Sequence, residues 1–413
     1  MPVNRRRFLK YAGATVAVVG ASALGLDYLT SKRTSNQRSL ISLTESTSKT
    51  PTTQTTGEVL TTESSTTQAS STSISGEFVK LQGDKLLYQN QLFTIKGFNY
   101  YPKEHAWRIF RDWDKDEVDY ELQLGSSMHA NSIRTFINYQ HSTDNVDYQY
   151  DWRTKYEASE SYLENMESFL VLADKYKMKV IFSLFDYVYW ELFSPDGQAV
   201  GEAYLNDLVP RFANDSRILA WDVVNQPDVT ASLLGANGKQ NVAIFLQRMS
   251  NRIRKLDMNH PITICFGDPS NPPVVDDWYD LLVGTQPLVD FLSFQNYAPP
   301  SELLSRIRAL KKFMKPIVIM EFGKHTWPQD PQDPSNETMQ RQYYASLLNS
   351  VNGQNISGSM FWTLMDFPVE HNSCKYTCFP VDKGESEENH FGVYRTDYSP
   401  KPARDVVKQY YAQ

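Results

Sequence analysis

Seven short apolar runs in the later part of the chain carry, or are followed by, residues able to do chemistry. In chain order these are Asn99-Tyr100-Tyr101-Pro102, Arg134, Asp186-Tyr187, Asn225-Gln226-Pro227, Gln295-Asn296-Tyr297, Glu321-Phe322-Gly323, and Trp362 with Asp366. Brought to one place they would supply carboxylate, guanidinium, amides and aromatic faces. Rings stack on the C–H faces of a sugar, and amides and carboxylates take its hydroxyls, so a carbohydrate is the ligand class that suits this set. Glu321 follows four apolar residues and precedes Phe-Gly. An acid in that setting is unlike a solvated surface carboxylate.

The elements that must position these residues have a simple rhythm. Strand-like runs fall at 94–99, 132–137, 179–185, 218–224, 262–266, 291–294, 317–320 and 359–363, eight in all. Between them lie stretches of helical period: Leu163, Met166, Phe169, Leu170, Ala173 and Tyr176; then Val242, Phe245, Leu246, Met249 and Ile253; then Leu303, Leu304, Ile307, Leu310 and Phe313. Continuous apolar strands alternating with helices predict an α/β fold, a (β/α)8 TIM barrel whose chemistry gathers at the C-terminal strand ends. A doubly wound open sheet is the competing architecture, but no Gly-rich phosphate loop follows the first strand. Shorter alternating runs at 78–81, 86–88 and 92–95, separated by Gly83-Asp84 and Asn90-Gln91, predict a small N-terminal β-cap.

Composition narrows the function classes. The 413 residues hold 41 Lys plus Arg, 48 Asp plus Glu and 3 Cys. Residues 77–413 hold 33 basic and 44 acidic residues, a net of −11, which excludes a basic grip on nucleic acid. Three cysteines exclude a disulfide scaffold.

The first 33 residues read as an address. Asn4-Arg5-Arg6-Arg7-Phe8-Leu9-Lys10 precedes an apolar stretch from Tyr11 to Leu26 and resembles a twin-arginine export signal. The stretch is short for a membrane span, which needs about 20 residues. An uncleaved anchor remains the alternative, and it would be the chain's only membrane contact. From Thr34 to Ser75, 24 of 42 residues are Ser or Thr, so 34–76 is expected to be a disordered spacer. The expected organisation is therefore address (1–33), spacer (34–76) and barrel (77–413), in a monomer exported to the cell surface or beyond.

These motifs together carry a resemblance. Ile218-Leu-Ala-Trp-Asp-Val-Val-Asn-Gln-Pro227 resembles a strand-4 motif ending Asn-Glu-Pro. Lys315-Pro-Ile-Val-Ile-Met-Glu-Phe-Gly323 resembles a strand-7 nucleophile motif. Lys96-Gly-Phe-Asn-Tyr100, Asn131-Ser-Ile-Arg134 and Ser399-Pro-Lys-Pro-Ala403 fit the first two strands and the chain end. Residues 94–413 thus resemble clan A of the retaining glycoside hydrolases, most closely the endo-β-mannanase type of glycoside hydrolase family 5. The resemblance implies hydrolysis of a β-linked mannan or glucan, without a cofactor or metal. It implies Glu321 as nucleophile, Arg134 beside it keeping it ionised, and Asn225 on the substrate 2-hydroxyl. Tyr297 would bond the nucleophile, Trp362 would floor the sugar under attack, and Asn99 and Asp186 would complete the substrate contacts.

One position departs from the pattern in a way that matters chemically. Where the family carries its acid/base glutamate, this chain has Gln226. Retaining hydrolysis uses two carboxyl groups, one attacking and one protonating the leaving oxygen. General acid–base help contributes about 10²–10⁴-fold, and an amide cannot supply it. Another acid could serve, with Asp228, Glu370 or His371 nearest in sequence. The substrate could have a leaving group that needs no proton, as plant thioglucosidases of the clan, which carry Gln here, suggest. Or the barrel could bind glycans without cutting them. An engineered inactivation is set aside, because the chain keeps its address and spacer. Gln295 and Asp186 also stand where the family's histidines are usual. In the last loop, Cys374 and Cys378 are expected to form a small disulfide rather than to hold zinc with His371 and His390.

Overall fold

The computed structural model describes residues 77–137, 159–186, 190–267, 272–284, 287–330, 333–368 and 385–413. The address, the spacer, Glu370, His371 and the Cys374–Cys378 pair lie outside the described residues.

The chain begins with three short antiparallel strands, β1 (Lys80–Gln82), β2 (Lys85–Tyr88) and β3 (Gln91–Leu92). The β2–β3 turn is Gln89-Asn90, one residue earlier than the sequence suggests, and both residues take positive φ. Two successive left-handed residues match the twist of a tight hairpin. Eight strands follow: β4 (Ile95–Tyr100), β5 (Ser132–Phe136), β6 (Lys179–Phe185), β7 (Ile218–Asn225), β8 (Ile262–Phe266), β9 (Leu292–Asn296), β10 (Ile317–Phe322) and β11 (Gly358–Phe361). They close into one barrel in chain order, with β11 pairing β4. Every barrel pairing is parallel. The eight predicted runs are these eight strands. Strands covered on both faces read as continuous apolar runs, which is why the period-2 signal is missing and the run itself is the signal.

The helices are α1 (Lys115–Ser127), α2 (Glu160–Lys175), α3 (Pro195–Phe212), α4 (Pro227–Leu233), α5 (Gly238–Leu256), α6 (Pro272–Val283), α7 (Pro300–Leu310), α8 (Glu337–Val351) and α9 (Pro402–Tyr411). The predicted stripes are largely the buried faces. On α5 the buried large residues are Val242, Phe245, Leu246, Met249 and Ile253, as the period requires. On α7, Leu304 turns partly outward and Phe313 sits in the 3-10 turn beyond the helix.

Two apolar clusters divide the barrel. The larger lies between strands and helices; in it Phe182 packs against Phe110, Phe169, Phe212 and Trp221. Each such ring, fully buried, contributes roughly 1.5–3 kcal/mol. The smaller joins Val79 and Leu86 of the cap to Ile95, Leu219, Phe291 and Val318, which stand at strand beginnings. The cap therefore plugs the N-terminal end of the barrel. The opposite end is left for polar residues.

Candidate active site

At that opposite end the polar residues meet around one guanidinium. Arg134, the third residue of β5, is 0% exposed. An arginine carries five N–H donors, and all five are used. Nε and Nη2 donate to Asp222 Oδ2 at 3.0 and 2.7 Å. Nη2 also donates to Asn225 Oδ1 at 3.0 Å. Nη1 donates to Asn99 Oδ1 at 3.0 Å and to Glu321 Oε1 at 2.5 Å. Its plane lies over the Phe136 ring, with Cζ 4.4 Å from the centroid.

Glu321 is the fifth residue of β10 and 4% exposed. Its second oxygen accepts the Tyr297 hydroxyl at 2.9 Å. Gly323 follows because the Trp362 carbonyl passes so close that a Cβ there would come within 2.4 Å of it. Burial pushes the Glu321 carboxyl up to about 7, against the lowering pull of Arg134 and Tyr297. Arg134 lowers it, as a neighbouring cation should, but does not cancel the effect of burial. Arg134 shares one charge between two buried acids, Asp222 and Glu321, and burial raises Asp222 too.

Asn99 and Asp186 sit differently from what the sequence suggests. Asn99 is 0% exposed; its amide donates to the Met320 and Phe361 carbonyls while its oxygen accepts from Arg134. Asp186 is buried, with one oxygen accepting from Tyr101 at 2.7 Å and the other from Asn225 at 3.0 Å. With these atoms already engaged, both residues position their neighbours rather than face a substrate.

The amide side of the site has a forced direction. Burial raises the Asp186 carboxyl against the pull of its donors, but Arg134 can only donate. Asn225 between them must point its nitrogen at Asp186 and its oxygen at Arg134. That oxygen also accepts Gln295 Nε2 at 3.0 Å, so Gln295 Oε1 faces the other way. Gln226 answers with its own Nε2, at 2.5 Å. The Gln226 side-chain oxygen and its second N–H are what remain. At the acid/base position the chain therefore offers an amide and no transferable proton. Gln226 is held there by a left-handed backbone (φ 51, ψ 51), a conformation that costs a non-glycine residue energy and often marks functional positions. Its own amide donates to the Cys265 carbonyl at 2.9 Å, and Pro227 starts α4 immediately after.

Asp228 does not stand in for the missing acid. Its Oδ1 accepts the Gly267 amide at 2.8 Å, so it is occupied at the start of α4. Asp366 is spent on Lys401 at 2.8 Å, in a buried pair. Cys265 is buried in the barrel interior, as its mid-strand place implies. Among the described residues no group of three or more His, Cys, Asp or Glu could hold a metal.

Trp362 follows β11 directly and is 9% exposed. It lies edge-on to Phe136 and Tyr101, at 5.8 and 6.2 Å. Its indole N–H donates to Glu388 Oε2 at 3.3 Å. Two site residues were passed over in the sequence. Asp222 had a signal, an acid inside an apolar run, because a buried charge requires a partner. Glu388 had none, since it stands outside any periodic element.

This geometry can be set beside known proteins. Residues 93–280 match the family model "Cellulase (glycosyl hydrolase family 5)". The match supports a place in family 5. A rice protein (Oryza sativa subsp. japonica), mannan endo-1,4-beta-mannosidase 1, is 26% identical over 276 residues. The alignment covers 50% of this chain and 61% of that relative, so the chain spans about six-tenths of the relative's length. Among solved structures, a family 5 mannosidase from Rhizomucor miehei aligns with TM-score 0.62 at 16% identity, covering 82% of this chain and 97% of that one. An endo-1,4-beta-mannanase from the same fungus gives 0.59 at 14%, covering 82% and 100%. An exo-beta-1,4-mannosidase from Opitutaceae bacterium strain TAV5 gives 0.59 at 16%, covering 78% of this chain and 59% of that one. At these identities the structural likenesses bear on the fold alone, and the fold is a (β/α)8 barrel.

Proposed function

We propose that this chain is a retaining glycoside hydrolase of family 5 acting on β-linked mannan or glucan, with Glu321 as nucleophile and no proton donor at Gln226. The observation that carries the reading is the seating of Glu321: one oxygen on Arg134, the other on Tyr297, at the C-terminal end of a barrel strand. In this scheme a Glu321 oxygen attacks the anomeric carbon. The bond to the leaving oxygen breaks, and that oxygen departs with the electron pair. Water then displaces Glu321, giving back the carboxylate and a hydroxyl of retained configuration, while water's second proton passes to solvent and neutralises the departed oxygen. Trp362 floors the ring, and Asn225 offers its remaining N–H to the 2-hydroxyl. Asn99 and Asp186 hold Arg134 and Asn225 in place.

One observation favours a second reading, a glycan-binding barrel that does not cut: the locked amide pair of Gln226 and Gln295. The reading includes an exported, surface-displayed monomer, supported by the arginine-led address and the Ser/Thr-rich spacer, with oligo- or polysaccharide as partner.

The test uses the purified full chain with aryl β-mannosides and β-glucosides, with and without azide. Phenolate release that azide stimulates, and that falls about 10³-fold or more in Glu321→Ala, supports a working nucleophile. No release, with saturable binding of polysaccharide, leaves the binder.

A further inference from the structure

Glu388 lies in the 3-10 turn Glu387–His390, which is pinned on both sides. Ser386 and Asn389 cap each other across it. The Asn389 side chain donates to the Phe367 and Pro368 carbonyls, and the Phe367 amide donates to the Asn389 carbonyl. Beyond the turn, Lys401 and the Thr326 amide both donate to the His390 carbonyl. The Phe391 ring then packs edge-on against Tyr297, the residue bonded to Glu321, at 5.9 Å. A turn held at both ends holds its side chains as well.

The Glu388 side chain is aimed inward, 8% exposed, with one oxygen on the Trp362 indole N–H. Among the described residues no cation pairs with it, in contrast to Asp222 and Glu321, which share Arg134. Burial raises this carboxyl well above its usual range, and the neighbouring Glu387 and Glu321 add to the rise; the Trp362 bond only partly opposes it. Among the described residues the carboxyl's hydrogen bond to Trp362 uses Oε2, and Oε1 stands at the edge of the ring expected to floor the sugar.

We propose that Glu388 is a specificity-determining residue that holds hydroxyls of the sugar ring lying on Trp362, the ring whose anomeric carbon faces Glu321. The proposal rests on the glycosidase reading above. A carboxyl held by the indole through one oxygen can meet sugar hydroxyls with the other, which an apolar side chain of the same volume cannot. Its place on the Trp362 side, away from the Gln226 wall, makes it a contact for the sugar being attacked and not for the group that leaves.

The test compares the full chain with Glu388→Gln and Glu388→Leu, after thermal melts establish that each is folded. Calorimetric titration with β-1,4-mannotriose and cellotriose gives Kd; rates on 4-nitrophenyl β-mannoside and β-glucoside give KM and kcat. Glu388→Gln keeps a donor and an acceptor and should stay within about threefold of the parent in Kd and KM. Glu388→Leu should raise both by about tenfold or more, with kcat changing less than KM. If Glu388→Leu does not fold, Glu388→Ala carries the same comparison. A folded Leu or Ala variant that binds as tightly as the parent overturns the proposal while leaving the glycosidase reading intact. So does a Gln variant that loses as much as Leu, because hydrogen bonding would then not be the property used. A parent chain that neither binds nor cleaves any of these sugars overturns both.

Discussion

On one side of the barrel mouth stand two carboxyls, Glu321 and Glu388, with the Tyr297 and Trp362 donors bonded to them. On the other stand three amides in a row, Asn225, Gln295 and Gln226. The first wall titrates and the second does not. On the proposed reading, the difference teaches where the chain keeps reactivity: the first wall would attack a carbon, and the second has no proton for a poor leaving group. The lack is not one residue deep. Gln226 is matched to Gln295, Gln295 to Asn225, and Asn225 to Arg134, so the whole amide wall is set in one direction by the guanidinium at its far end.

That matching can be broken from the amide side, where the largest effect is expected. Gln226→Glu should raise turnover of natural mannan or glucan, with about 10²–10⁴-fold as the full range for general acid help. The single variant should fall short of that range. Its carboxyl would have to give its proton to Gln295 Oε1, away from the substrate, or meet it as a repelling oxygen. Gln226→Glu combined with Gln295→His should gain more than the single change, measured as reducing ends released. Equal gains would mean that Gln295 turns freely and the wall is not locked.

The charged wall is broken at its shared cation. Arg134→Met leaves Asp222 and Glu321 buried without a partner, and should cost about 3–5 kcal/mol in denaturant unfolding. Both acids would then hold protons more tightly when folded than when unfolded. Their contribution is greatest below the unfolded carboxyl range and is lost as pH rises, so the deficit against the parent should be smaller at pH 4 than at pH 8. A deficit independent of pH would separate the loss from charge.

The smallest effect is one of profile. Glu321 must be ionised to attack, and its carboxyl lies near 7. On an activated aryl glycoside, kcat/KM should rise about tenfold per pH unit below 7 and then level off, since Gln226 contributes no group to titrate. A falling alkaline limb that persists in Glu388→Gln would reveal a working acid in the site.

Much of this was legible before any coordinates. The eight strands could be read because buried strands are long apolar runs, and Glu321, Arg134, Tyr297 and Trp362 could be read because each adjoins or interrupts such a run. The parts that could not be read depend on competition. Whether Arg134 keeps Glu321 ionised turns on how many acids share it and how dry they are, and Asp222 supplies the second acid. Whether Asn99 and Asp186 touch substrate turns on which partners take their oxygens and nitrogens first. Glu388 reaches the site through a turn with no periodicity, from a point 67 residues after Glu321. The β2–β3 turn was displaced by one residue for a local reason, the preference for two left-handed residues in succession.

The central claim, a working nucleophile facing a wall without a proton, is tested most directly with a graded series of aryl β-mannosides or β-glucosides. The account predicts that kcat/KM falls steeply as the leaving phenol becomes less acidic, that release depends on Glu321, and that azide speeds the second step. Rates indifferent to the leaving group would contradict it, because they would require a proton donor that the amide wall does not contain.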